Sequence, residues 1–545
     1  MNPDTLSASE HRPPERARRG RLARSAGVTG AATLASRMLG LVRDQVLASL
    51  FGAGNEMDAF IVAFRIPNLV RDLFAEGAMS AAFVPTFTRH LTRGGKDDAW
   101  RLGNNVLNAL LVVTGALVVG GIVFAQPLVE TYAGDFASVP GKLELTVRLT
   151  RVMLPFLTMV AVAAVAMGML NSLHHYFLPA LSPAMFNVAT IMCALALVPV
   201  MPALGEPRIM AIAIAALLGG VGQIAIQWPA LRRTGFRYQR VFEPGDAGLR
   251  QVLLLMGPGT IGLAATQVNI FVNTLLATSQ GTGAVSWLTY AFRLMYLPIG
   301  LVGVSIGTAV LPAVSRRAAV DDTTGIRQTV SRGLALMLML NVPATLGLIV
   351  LATPIVQLLF ERGHFLPADT AATAAALRLY AVGLVGYSAV RIASPIFYAI
   401  GKSRVPVMVS MGAIVINVVA SVTLVRLMGF RGLALGTSIA AVANAGVLVW
   451  LLRRRLGGLD LRCLSLTLVK ATLSAVVMAV AAVAIQHAMD RVVPGAHLTA
   501  QALRLGSSIG GGLLALATMA TLLRMEEFAE AVEMFQRQVR KVLGR

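Results

Sequence analysis

About fourteen runs of roughly twenty apolar residues, joined by short polar loops, restrict this chain more than any other feature. An α-helix rises about 1.5 Å per residue, so each run matches the ~30 Å hydrocarbon core of a bilayer. Backbone N–H and C=O groups inside that core must be satisfied within the segment, which selects helices. The runs fall near 25–50, 58–90, 103–125, 145–170, 180–203, 208–231, 247–278, 284–315, 329–352, 370–400, 405–426, 431–452, 466–487 and 502–523. Composition agrees: the 545 residues are 56% hydrophobic and 13% charged, with a mean hydropathy of +0.71. Soluble domains carry about 25% charged residues. The expected fold class is an all-α integral membrane protein of about 14 transmembrane helices.

A net charge of +21, from 47 basic and 26 acidic residues, invites a nucleic-acid reading. The distribution of charge rejects it. Arg89–Arg101, Arg232–Arg240, Arg316–Arg332, Lys402–Arg404 and Arg453–Arg455 form basic loops, and the intervening loops 51–57, 126–144, 279–283 and 353–369 carry at most a single Lys or Arg each. Such alternation is the positive-inside pattern, and it puts both termini in the cytoplasm. Residues 1–24 include Arg12, Arg16, Arg18, Arg19, Arg21 and Arg24 without the apolar stretch and cleavage site of a signal peptide. They are expected to form a retained cytoplasmic basic tail. Cys193 lies inside an apolar run and Cys463 follows the Arg453–Arg455 cluster, so no disulfide is expected.

The chain also repeats itself. Gly52-Ala53-Gly54, Ala63-Phe64-Arg65 and Val84-Pro85 return as Gly281-Thr282-Gly283, Ala291-Phe292-Arg293 and Leu311-Pro312, at an offset of about 228 residues. Gly40-Leu41 with Gln45-Val46 likewise returns as Gly262-Leu263 with Gln267-Val268. An offset of six helices preserves orientation, which predicts two six-helix lobes in parallel repeat. The expected organisation is a basic tail over 1–24, an N-lobe over 25–240, a C-lobe over 241–456, a further helix pair over 457–523 and an amphipathic cytoplasmic helix over 524–545. That last stretch spaces Met525, Phe528, Val532, Phe535, Val539 and Val542 as one apolar stripe, suited to the membrane surface.

Ionisable side chains within a span are costly and point to function. The first two spans hold Arg37, Arg43, Asp44, Asp58, Arg65, Arg71, Asp72 and Glu76, and the eighth adds Arg293. Arg43 and Asp58 lie near span ends, where snorkelling to water is the bland explanation, and Arg37 and Asp44 share a helix face and suit a mutual pair. Arg37, Arg71 and Arg293 sit deeper. Several guanidinium groups facing one cavity suit a diphosphate, whose oxygens they bind in pairs. Pro67 and Pro298 fall at matching places in the two copies, with Gly77 and Gly300 nearby, and mark candidate hinges. No P-loop, HExxH or Ser/His/Asp set is legible, and His174-His175 has no carboxylates at ligand spacing. The chain therefore reads as a transporter, not an enzyme, with no cofactor or metal expected.

The run Ser36-Arg37-Met38-Leu39-Gly40-Leu41-Val42-Arg43-Asp44 resembles the MurJ (MviN) lipid II flippases of the MOP exporter superfamily. The resemblance continues through Phe51–Gly54, Asp58-Ala59-Phe60, Pro67–Arg71, Phe74–Ala78, Ala82–Pro85 and Arg293-Leu294-Met295. It implies that Arg37, Arg43, Arg71 and Arg293 hold the diphosphate of a lipid-linked peptidoglycan precursor, with Asp58 and Ser286 also at functional positions. It further implies alternating access in a bacterial inner membrane, a lipid-tail groove formed by the last two spans, and cell-wall synthesis or division machinery as candidate partners. Two departures stand out. Phe292 and Tyr296 flank Arg293 where some members have acids. Some members bind sodium in the second lobe through acidic ligands, whereas this chain offers Asn273, Asn417 and Ser421. The alternatives are an exporter of another polyprenyl-diphosphate-linked oligosaccharide and a multidrug exporter of the same superfamily. A membrane glycosyltransferase lacks its acidic loop cluster here, and a passive scaffold has no need of arginines inside spans.

Overall fold

The computed structural model describes residues 35–71, 78–495 and 497–542, and among them every regular element is helical. The described parts of the apolar runs are predominantly helical. By length and composition, nine helices among the described residues are able to cross a membrane. They include α4 (Gly95–Val123), α10 (Met210–Arg233), α14 (Thr323–Val350), α18 (Arg404–Met428), α19 (Phe430–Arg455), α20 (Leu461–Val492) and α21 (Leu498–Leu522). The other two are the continuous stretches of α6 (Lys142–Met153) with α7 (Phe156–Ser172) and of α8 (Phe177–Leu181) with α9 (Ala184–Ala196). A tenth candidate is α16 (Pro367–Val382) with α17 (Leu384–Ala399), bent by 43° at Gly383.

The remaining runs are helical but shorter or interrupted. Helix α1 is described over 35–51. Helices α2 (Asn55–Arg71) and α3 (Ala78–Arg93) flank residues 72–77, outside the described set. Helix α11 covers Ala247–Thr278. The eighth run divides into α12 (Ala284–Pro298), a π-helical turn over Ile299–Gly303 and α13 (Val304–Ala318).

The chain divides into two compact units. The first contains 64–125 and 148–261 together with the chain up to Val46. Its core includes an aromatic chain from Phe83 to Phe87, Trp100, Phe236 and Trp228, with successive ring centroids 5.3, 5.6, 5.4 and 5.7 Å apart. Beside it, the irregular segment after α10 is pinned to α4 by three buried asparagines. Asn104 donates to the Arg237 carbonyl (3.0 Å) and accepts from the Gln239 N–H (3.0 Å). Asn108 donates to the carbonyls of Gln239 (2.9 Å) and Val241 (2.8 Å). Asn105 donates to the Glu243 carbonyl (3.0 Å) and accepts from its N–H (2.8 Å). Residues 237, 239, 241 and 243 alternate as in a strand; Asn104 and Asn105 each supply the donor and acceptor that a partner strand would give, while Asn108 donates twice and its amide oxygen accepts from the Tyr238 hydroxyl (2.8 Å).

The second unit contains 47–63, 126–147 and everything from Gly262 onward. Helix α19 carries Gly432 and Gly436 one turn apart, where a Cβ would run into the Leu424 backbone and into Ser421 of α18. Small residues at this spacing let two membrane helices approach closely. Helix α22 (Glu526–Val542) follows α21 directly. Met525 and Phe528 pack against Met339, Val342, Ala471, Ala475 and Ala520, and Thr467 donates to Glu527. The start of the apolar stripe thus packs on the protein itself, because that surface offers an apolar seat; Phe535, Val539 and Val542 lie beyond the described side chains.

Replacing Asn104, Asn105 or Asn108 by alanine removes part-buried hydrogen bonds to the 237–243 backbone, at about 0.5–1.5 kcal/mol per bond. An Asn104→Ala, Asn108→Ala double variant is expected to lower the thermal unfolding midpoint and to open Arg237 and Arg240 to trypsin. Arg101→Ala removes only the exposed ion pair to Glu243 (2.6 Å) and should leave the digestion pattern unchanged.

Candidate functional site

Asp58 lies in the first turn of α2 and is fully buried. A carboxylate away from water requires donors on every side. One oxygen of Asp58 accepts from the Ser286 N–H (3.1 Å) and hydroxyl (2.7 Å). The other accepts from the Gly283 N–H (2.7 Å) and the Lys142 ammonium (2.9 Å). Gly283 is the N-cap of α12 and has no side chain with which to cap it. Asp58 supplies the missing cap from another helix and meets the positive end of the α12 dipole. Lys142 is equally buried, and its ammonium lies 4.1 Å from the centre of the Phe136 ring.

Asp58 and Ser286 are 228 residues apart, the offset of the internal repeat. Beside them, the Thr282 hydroxyl donates to the Asn55 side-chain amide oxygen at 2.7 Å. Asp58 therefore touches the residue at its own repeat offset. The contact is extended by a backbone clasp. The His364 N–H donates to the Ser49 carbonyl (2.9 Å). Gly52 (φ +60°) and Gly363 (φ +57°) face it, and a Cβ on either would collide with the carbonyl of His364 or of Ser49 respectively. Only glycine fits both the left-handed backbone and the close approach. On the far side of α12, Trp287 donates to Asp369 (2.9 Å).

The structure brings Asp58 and Ser286 together and occupies both with each other. Arg43, half-buried on α1, donates to Asp44 (3.0 and 2.7 Å) and to Asn187 (2.9 Å), and its guanidinium lies 5.5 Å from the Phe186 ring. Arg37 is exposed on α1 and Arg71 is half-buried at the end of α2; these three arginines belong to the first unit. Arg293 is exposed on α12 in the second. Pro67 lies inside α2, and Pro298 ends α12 with Gly300 in the π-helical turn that follows. Such a turn often marks a site of movement. Gly77, Asp72 and Glu76 lie outside the described residues.

Asn417 donates to Asn269 and to Asn273 (3.2 Å), and Ser421 donates to Asn273 (3.4 Å) and Asn417 (3.3 Å). These neutral groups satisfy one another and do not fit a cation site built on carboxylates. Among the described residues no three His, Cys, Asp or Glu side chains are grouped to hold a metal.

Two participants escaped the sequence reading. Lys142 looked like the single loop cation of 126–144, and nothing local distinguishes a buried ammonium from an exposed one. The Gly363-His364 contribution was equally silent.

The fold is that of a multi-pass helical membrane protein. A solved structure described as lipid II flippase MurJ in an inward closed conformation superposes with a TM-score of 0.74 at 23% identity, over 91% of this chain and 99% of that one. An inward-facing multidrug resistance MATE transporter of the MOP superfamily gives 0.66 at 18% identity, over 79% of this chain and 98% of that one. The family profile of lipid II flippase MurJ matches residues 47–503. The lipid II flippase MurJ of Burkholderia cenocepacia is 36% identical over 427 residues, 78% of this chain and 82% of its own. The probable lipid II flippase MurJ of Vibrio cholerae is 34% identical over 435 residues, again 78% and 82%. The chain belongs to the MurJ lipid II flippase family.

Asp58→Asn strands a buried ammonium, at about 3–5 kcal/mol against the closed contact. Exchange of the 283–287 amides with deuterium should accelerate at least about a hundredfold. Ser286→Ala removes one hydrogen bond to a charge, worth roughly 1.5–3 kcal/mol, and should act less. Gly52→Ala and Gly363→Ala should likewise speed exchange at 283–287. Gly401→Ala is the control, since Gly401 has φ +72° but no neighbour within 4 Å of an added Cβ. Equal exchange in all three glycine variants would remove the clasp from the account.

Proposed function

We propose that this protein carries lipid II, the undecaprenyl-diphosphate-linked peptidoglycan precursor, from the cytoplasmic to the periplasmic leaflet of a bacterial inner membrane by alternating access. The observation that carries the reading is family membership over most of the chain, joined to a closed contact built from repeat-equivalent residues. In this reading the two lobes are 25–240 and 241–456, the fourteen spans leave both termini in the cytoplasm, and 457–523 receives the polyprenyl tail.

The Asp58 contact acts as the outward gate. Its side of the membrane follows from the loops it joins, 51–57, 126–144, 279–283 and 353–369, which are poor in basic residues. Arg37, Arg43, Arg71 and Arg293 attract the diphosphate, since a guanidinium inside a span is tolerated where it meets water or an anion. Arg43 exchanges its present partners, Asp44 and Asn187, for phosphate oxygens. Opening requires Asp58 to leave Gly283 and Ser286, while Lys142 keeps its charge compensated. The Pro298 end of α12 and the π-helical turn beyond it supply the bend.

The test is complementation of a strain depleted of its own lipid II flippase, scoring growth and lipid II exposed outside the cell. The native chain is expected to restore both. Arg37→Ala, Arg71→Ala and Arg293→Ala, at equal abundance, should each lose lipid II exposure by about tenfold or more, the loss of one charge-assisted phosphate contact. A well-inserted native chain that fails to rescue would move the reading to another polyprenyl-diphosphate glycan.

A further inference from the structure

We propose that Arg391 is a second phosphate-gripping residue, set with Arg293 in a cationic, aromatic-backed patch that takes the diphosphate–sugar junction of a polyprenyl-linked glycan. The proposal rests on the transport reading above and specifies which part of the substrate the second unit receives.

Arg391 is the one charged residue of α17, as Arg293 is of α12, and both are exposed. An arginine in an apolar helix is costly unless it faces water, a partner or an anion. The partner of Arg391 is the Tyr296 hydroxyl, which accepts from one guanidinium nitrogen at 2.9 Å. That hydroxyl is neutral: it orients the guanidinium without cancelling its charge, and most of the five N–H donors stay available. Tyr296 lies three residues from Arg293, on the same face of α12. The bond therefore draws Arg391 to the face that carries Arg293.

Aromatic rings support this face. Phe292 packs against Tyr296 (6.1 Å), Tyr380 (5.4 Å) and Tyr387 (6.3 Å). Tyr387 stands one turn before Arg391 on α17. Phe292 and Tyr387 are half-buried and Tyr380 is buried, so these rings back Tyr296 from beneath, and the exposed Tyr296 ring is the surface on which the C–H face of a sugar can rest. One guanidinium matches one phosphate in a two-bond grip, so a diphosphate calls for two. In the first copy, 228 residues before Arg391, Ala163 lies buried in the uncharged α7, so this second cation belongs to the second copy only.

The test is binding to the purified full-length protein of two probes, undecaprenyl diphosphate and undecaprenyl phosphate. Arg391→Ala is expected to weaken the diphosphate by about tenfold and the monophosphate by less than about threefold. Arg391→Lys should recover part of the difference, because a point charge replaces the fork. Tyr296→Phe should lose about threefold on the diphosphate through loss of orientation. Unchanged diphosphate binding in Arg391→Ala would overturn the assignment, and so would an equal loss for both probes. If Arg391→Ala does not accumulate in membranes, Arg391→Lys and Tyr296→Phe still carry the same comparison. A parent that discriminates the probes through Arg391, yet neither binds nor moves lipid II, would sink the transport reading and leave the patch standing.

Discussion

A carboxylate removed from water must be surrounded by donors, and Asp58 draws its donors from two other stretches of chain. Lys142 brings a compensating charge, while Gly283 and Ser286 bring the unsatisfied N–H groups of a helix start. Every one of these groups would be costly to bury alone. Together they are complete. The surrounding features serve this arrangement: Gly52 and Gly363 allow the chain to close beside it, the Phe136 ring backs the ammonium, and the fixed start of α12 carries Trp287 to Asp369. A contact held by polar groups also suits a gate, because each group has water to turn to when the contact opens. An apolar seal of equal area has no such recourse.

The membrane class and the approximate position of the long apolar helices were legible because lipid leaves the backbone one choice, whereas the short helices Ala125–Ala133 and Ala352–Phe360 fall in segments read as loops. Hydropathy did not reveal where helices break. Gly383, which bends the tenth candidate by 43°, and the π-helical turn after Pro298 depend on packing against neighbours. The repeat was legible as matched residues. Its most informative consequence, that Asp58 meets its own counterpart Ser286, needed the structure, since an offset states equivalence and not contact. Asn104, Asn105 and Asn108 read as three unremarkable polar residues at the start of a span; only the fold shows that they hold 237–243 in strand-like form.

The arginines divide the same way. Their presence inside spans was plain from the sequence and pointed to an anionic substrate. What each touches was not, because partners come from distant segments, as Asn187 and Phe186 do for Arg43, and Arg391, held by Tyr296, was not singled out from the sequence at all. The neutral cluster of Asn269, Asn273, Asn417 and Ser421 makes the complementary point. Its residue types already argued against a carboxylate-based cation site, and their mutual hydrogen bonds give the physical reason.

The central claim is that the contact around Asp58 opens and closes in every transport cycle. Asn55 and Thr282 touch through their side chains at 2.7 Å, so an Asn55→Cys, Thr282→Cys pair, in a chain with Cys193 and Cys463 replaced, should form a disulfide across it. Lipid II reaching the outer leaflet of reconstituted vesicles would then be measured before and after oxidation, and again after reduction. The account predicts that oxidation stops transport and that reduction restores it. Transport at an unchanged rate with the disulfide fully formed would contradict it.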